Sequence, residues 1–173
     1  MKSPTHYIIN GKPQSGKDTF VDVIINLMNS DDLKAQKFST VDSVKAAAIF
    51  LGWDGEKDAK GRNFLSDLKD LSTKYYDNSL NEVKEKIWMY PDTTFFFFIR
   101  EPEEIEKLIN SYEKGKFKTV CVVRGNDDLA DITNHADRYV LNISYDYYIH
   151  NEGTLDDFKQ SAENFYKTVI KKQ

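Results

Sequence analysis

A single cysteine rules out an internal disulfide, and Cys121 sits inside an apolar run, where a free thiol behaves as a small inert hydrophobe. His6, His135 and His150 are scattered and no Cys/His cluster exists, so a structural metal has no ligand set. No apolar run approaches the ~20 residues of a membrane span, and the N-terminal region lacks the apolar stretch of a secretion signal. A reducing cytoplasm is the expected compartment, without a membrane partner. Positive charge is also short: the net charge is -4 and the pI about 5.4, which gives nucleic acid nothing to be steered by. A phosphate site needs only local positive potential and stays open. Arginine is scarce among 24 basic residues, occurring at Arg62, Arg100, Arg124 and Arg138. Its planar fork grips phosphate with two hydrogen bonds, so each is worth locating. Repeats, low-complexity tracts and linkers are absent, and 173 residues make one domain, residues 1–173.

What is present alternates. His6 to Asn10 is a short apolar run ending at Gly11, a first strand. Phe20, Val23, Ile24, Leu27 and Met28 then recur at helical spacing. Ala35 to Ser39 reads as a strand, and 42 to 51 as a helix with Val44, Ala47, Ala48 and Leu51 on one side; Asp42 is placed as its N-cap. Residues 56–90 are charged and helical, with one apolar face from Phe64, Leu65, Leu68 and Leu71 and another from Leu80, Val83 and Ile87. The unbroken apolar run Thr94 to Ile99 is the pattern of a strand covered on both faces, and it ends at Arg100. Glu101-Pro102 opens a helix, with proline and carboxylates where a first turn favours them. Phe117 to Val123 is a strand ending at Arg124, 125–137 a polar loop, Arg138 to Ile143 a further strand, and Leu155 to Ile170 a terminal helix. Strands alternating with helices predict an α/β fold with a mostly parallel sheet.

Between the first strand and the first helix lies Gly11-Lys-Pro-Gln-Ser-Gly16-Lys17-Asp18-Thr19. The spacing is that of a phosphate-binding loop, G-x-x-x-x-G-K, in the strand–loop–helix context the motif needs. Backbone N–H groups of Gly11, Lys12, Ser15, Gly16 and the turn through Phe20 are placed to cradle phosphates, with Lys17 reaching the β and γ phosphates. Asp18 stands where the strict motif has the Ser or Thr that ligates Mg²⁺. Thr19 is favoured as the hydroxyl ligand, with Asp18 the other candidate. The cofactor set read from this loop is ATP and Mg²⁺.

The run Lys-Pro-Gln-Ser-Gly-Lys-Asp-Thr resembles the phosphate loop of phage-type deoxynucleoside monophosphate kinases, relatives of adenylate kinase, and more distantly that of animal phosphomevalonate kinase. Phe38 to Lys45 looks like the family's second strand and substrate-side helix, Gly61-Arg62-Asn-Phe-Leu like its Gly-Arg-x-x-Leu segment, and Asp146 to Leu155 like its closing strand and last helix. The resemblance implies a P-loop NTPase three-layer sandwich with a helical monophosphate-binding insertion at about 56–90 and a short lid at about 125–137. It also implies an origin in a bacterial cell or a phage-infected host. Ile99 departs from the pattern, which has an aspartate before the arginine ending the third strand; Glu101 is the candidate replacement.

Phosphoryl transfer needs alignment and positive charge around the transferred group more than covalent help. Lys17, Arg62, Arg100 and Arg124 are the catalytic candidates. Arg100, Arg62 and Lys45 are placed on the acceptor phosphate, while Arg124 and Arg138 are placed on ATP from the lid, on the base or the phosphates. Trp53, Trp88, Tyr75 and Tyr76 either line an acceptor pocket or pack helix on helix. The leading expectation is a nucleoside or deoxynucleoside monophosphate kinase, acting as monomer or homodimer on small molecules only. A kinase of a non-nucleotide phosphorylated metabolite and a nucleotide-binding protein without kinase activity are the alternatives.

Overall fold

The computed structural model describes residues 4–125, 140 and 143–172. Within them the chain divides into two compact units, one made of residues up to Phe38 together with Pro91 onward, the other of Ser39–Tyr90. The sequence sets its insertion at 56–90; the second unit begins earlier and includes the helix of residues 42–50.

The first unit is built on a five-stranded sheet. β1 (His6–Asn10) lies at its centre, flanked by β3 (Thr94–Phe98) and β4 (Phe117–Val123); β2 (Ala35–Ser39) and β5 (Tyr147–His150) are the edges, in the order β2-β3-β1-β4-β5. β1 pairs in parallel with both neighbours, Tyr7 against Phe96 on one side and Ile8 against Thr119 on the other, and β4 pairs in parallel with β5. A central parallel strand is covered on both faces, so every residue of β1 is buried. Its alternate residues divide the core. Tyr7 and Ile9 join Phe96, Val120 and Val122 under α1 (Lys17–Ser30) and α6 (Leu155–Phe165), where Phe20, Ile24, Phe158 and Phe165 close the layer. On the opposite face His6 lies among Phe95, Phe97 and Phe117, with ring centroids 5.5 to 5.9 Å away. His6 Nδ1 accepts from the Phe95 amide at 3.2 Å, and burial, with Lys116 nearby, lowers its pKa to about 3, so the ring is neutral.

The remaining helix of this unit, α5 (Pro102–Asn110), carries Pro102 in its first turn and Glu103 and Glu104 beside it, as the sequence predicts. The terminal helix differs from expectation in its last part: α6 ends at Phe165 and continues as a π-helical segment, Tyr166–Ile170. Its wider turn bonds the Lys171 amide to the Tyr166 carbonyl at 2.9 Å, and the side chains of both residues meet Asp31 at the end of α1, each at 2.5 Å. The expected strand over 138–143 falls largely outside the described residues; Val140, which is described, is fully buried beside Cys121 and Tyr145.

The second unit holds α2 (Asp42–Phe50), α3 (Ala59–Tyr76) and α4 (Asn78–Met89). Asp42 is not an N-cap. It lies inside the first turn of α2, and its carboxylate pairs with Lys45 three residues on, at 2.7 Å. The N-cap position is held by Val41, one residue earlier. α3 is capped instead by Asp58, which accepts from the Gly61 amide at 2.7 Å. The expected apolar face of α3 is only partly covered, since Leu71 remains 65% exposed. Trp88, Tyr75 and Tyr76 are exposed as well, so helix packing does not use them, whereas Trp53 donates to the Glu56 carbonyl at 3.0 Å. No helix among the described residues is long and apolar enough to cross a membrane.

Candidate phosphate-binding site

In a parallel sheet the ligand site collects where the strands end at their C-termini. Here four such ends converge on one loop. β1 stops at Asn10, whose fully buried side chain accepts from the Gly11 amide at 2.8 Å and donates to the Arg100 carbonyl at 3.2 Å. One amide thereby fixes the start of the loop to the end of β3. β4 runs into Arg124, whose guanidinium donates to the Gln14 carbonyl at 3.3 Å. β5 runs into Asn151, whose backbone amide donates to the Val123 carbonyl at 2.7 Å and whose side chain donates to the Ser15 carbonyl at 2.9 Å.

The loop itself, residues 11–16, is forced into an open coil. Gly11 and Gly16 have φ of 144° and 102°, and Gln14 adopts the left-handed region with φ 60°. Alternation of left-handed and right-handed residues of this kind is the backbone pattern of anion-binding concavities. There is no room for side chains at the two glycines. A Cβ at Gly11 meets the Val122 carbonyl at 2.4 Å and the Ser15 hydroxyl at 2.8 Å, and one at Gly16 meets Asn151 and Phe158 at 2.6 and 2.9 Å. The first turn of α1 follows directly, and a helix's first amides have no intrahelical acceptor. Lys17 Nζ donates to the Gly11 and Lys12 carbonyls at 2.6 and 2.5 Å, which holds its ammonium over the loop.

Two observations bear on whether the loop fits a phosphate. Among the described residues the buried Ser15 hydroxyl has no hydrogen-bond partner, a state that costs on the order of 1–3 kcal/mol unless a ligand oxygen relieves it. The helix terminus and Lys17 add positive potential at the same place. An anionic, multi-oxygen group fits both. For the accompanying metal, Thr19 is half-buried in the first turn, while Asp18 is drawn aside. Its carboxylate lies 3.3 Å from Lys37 Nζ, which also pairs with Asp22 at 2.8 Å. Lys37 is held above its ordinary ammonium value, chiefly by Asp22 and further by Asp18.

The structure thus brings together Gly11, Lys12, Ser15, Gly16, Lys17, Asp18, Thr19, Phe20, Arg124 and the end of β3 at Arg100. Phe20 serves the core, with no exposed surface, and Ile99 is likewise buried. Lys45 and Arg62 belong to the second unit. Lys45 pairs with Asp42 there, and Arg62 donates to the Lys57 carbonyl at 2.8 Å. Arg138 and all but the first residue of the lid segment 125–137 lie outside the described residues. Sequence reading missed Asn10, Lys37 and Asn151. An amide at the tip of an apolar strand, directly before the loop, was a usable signal for Asn10. Lys37 and Asn151 had none, because only the fold places them at the loop.

No protein-family model matches the chain, and no curated protein sequence does. Solved structures do. The chain is similar to APS kinase of Mycobacterium tuberculosis, solved with AMPPNP and APS, at 10% identity and TM-score 0.54, covering 97% of this chain and all of that one. It is similar to dephospho-CoA kinase of Campylobacter jejuni at 15% identity and TM-score 0.53, covering 97% and 98%. A sugar kinase from Janibacter aligns at 10% identity and TM-score 0.50, over 97% of both chains. At such identities the likeness is one of fold alone, a three-layer α/β sandwich with a mostly parallel central sheet between helices.

Proposed function

We propose that this chain is an ATP-dependent phosphotransferase acting on a small phosphorylated metabolite. The observation that carries the proposal is the loop of residues 11–16, a cradle too tight for side chains, with an unsatisfied Ser15 hydroxyl inside and the Lys17 ammonium across its mouth. The P-loop kinases that share the fold support it. Their acceptors are named as APS, dephospho-CoA and a sugar, which favours a metabolite kinase over any single acceptor class.

In this reading Lys17 exchanges the Gly11 and Lys12 carbonyls for phosphate oxygens of ATP, and Ser15 donates to the same group. Mg²⁺, when bound, neutralises the triphosphate oxygens, with Thr19 as the hydroxyl that would hold it. Arg124, tied to the loop through Gln14, adds charge on the ATP side, and Arg100, at the end of β3, adds charge on the acceptor side. The bond to the γ-phosphorus breaks on the ADP side and forms to an acceptor oxygen. Where the acceptor oxygen belongs to a phosphate it is already an anionic nucleophile, and no strong general base is required; a hydroxyl acceptor passes its proton to a base or water. Consistent with that, Asp18 beside the loop is engaged by Lys37. A nucleoside or deoxynucleoside monophosphate is the narrower acceptor within the class, supported by the sequence of the loop.

A coupled ADP-release assay with Mg-ATP decides between these readings. The acceptor panel comprises all nucleoside and deoxynucleoside monophosphates, APS, dephospho-CoA and phosphorylated sugars. Acceptor-dependent ADP release is expected, and its restriction to monophosphates would establish the narrower reading. ATP binding without acceptor-dependent release from any of them would reduce the protein to a nucleotide binder.

A further inference from the structure

Lys37, on the edge strand β2, is assigned no role by the phosphate-loop motif, yet it reaches the first turns of α1. Its ammonium lies 3.3 Å from Asp18 Oδ1 and 2.8 Å from Asp22 Oδ1, with a second contact to Asp22 Oδ2 at 3.0 Å. Asp18 and Asp22 are four residues apart and share one face of the helix. Asp18 directly follows Lys17, where a carboxylate would meet the negative charge of a bound triphosphate. We infer that Lys37 is a positioning residue of the nucleotide site: it neutralises Asp18 and holds its carboxylate toward β2, leaving the loop positive and the metal position to Thr19. The inference rests on the reading of the loop as an ATP site.

The two contacts divide the work. Asp22, one turn further from the loop, anchors the ammonium whether or not a ligand is present. Asp18 is the carboxylate that needs cancelling. Its side chain is 78% exposed, so the pair contributes little to folding. Its effect is on the local field, which acts on the ligand and weakens with salt. Without Lys37 the carboxylate repels the triphosphate or competes with Thr19 for the metal.

The test is calorimetric titration of Mg-ATP, and of ATP with EDTA, into the full chain and five variants, with thermal midpoints recorded for each. Lys37→Ala is expected to weaken Mg-ATP binding about tenfold at low salt, with a smaller deficit at high salt. Asp18→Asn combined with Lys37→Ala should restore affinity to within about twofold, because the uncancelled charge is gone. Asp22→Asn combined with Lys37→Ala should remain weak. Lys37→Gln, which keeps the length and polarity of the side chain, replaces Lys37→Ala should the latter lower the midpoint. Unchanged affinity in Lys37→Ala overturns the inference, as does failure of Asp18→Asn to rescue it. It is overturned too if Asp18→Asn alone weakens Mg-ATP but not metal-free ATP, since Asp18 would then be the metal ligand. A wild-type chain that binds no Mg-ATP overturns the ATP-site reading itself, a distinct result.

Discussion

Two single side chains carry consequences that can be measured directly. Lys17 donates to the Gly11 and Lys12 carbonyls of the loop and is not among the buried core residues. Lys17→Ala is therefore expected to lower phosphoryl transfer about a thousandfold, with the thermal midpoint shifted by no more than about 3 °C. Near-normal turnover in the assay would remove the loop from the mechanism. His6 acts on stability instead. Its folded pKa is lowered from 6.5 to about 3, first by burial and then by Lys116. Between those values the unfolded chain binds a proton that the native chain refuses, so stability is full above pH 6.5 and is lost as pH falls towards 3. The slope from this one group approaches about 1.4 kcal/mol per pH unit. Urea midpoints between pH 7 and 4.5 should fall less steeply in His6→Leu than in the wild type; parallel slopes would mean that His6 titrates normally.

At the scale of elements, the strands were legible because the sheet's centre demands unbroken apolar runs, and β1, β3 and β4 supply them. The phosphate loop was legible because its glycines answer to sterics that no other residue satisfies. What sequence could not show were contacts that depend on long-range placement: Asn151 on Ser15 is a bond across 136 positions, and Lys37 on Asp18 joins separate elements. The π-helical ending of α6 had no signal either, since apolar spacing over 155–170 reads as one helix. Gly61 is a point of close approach: a Cβ there meets the Glu56 carbonyl at 2.1 Å and Trp53 Nε1 at 2.8 Å. Gly to Ala inside a helix ordinarily stabilises by roughly 1 kcal/mol. Gly61→Ala is expected to do the reverse, opening the turn at 56–58 and lowering the thermal midpoint by several degrees. A raised midpoint would show that the turn yields without cost.

For the molecule as a whole, burial is uneven. β1 is buried along its whole length, whereas α3 buries only Gly61 among its residues, and α4 buries Ser79 and Val83. Local opening free energy follows such coverage. Native-state hydrogen exchange should therefore show amides of 59–89 exchanging well before those of β1, β3 and β4, and equal protection in both regions would contradict this. The position of β1 has a consequence for synthesis. His6 is bonded to Phe95 across 89 positions, so the chain's central strand emerges from the ribosome long before either neighbour exists. At ~5–20 residues per second, a five-residue segment destined for full burial waits on the order of ten seconds without its sheet. Closure of the sheet around β1 is therefore a late event, which waits for Thr94–Phe98 and Phe117–Val123.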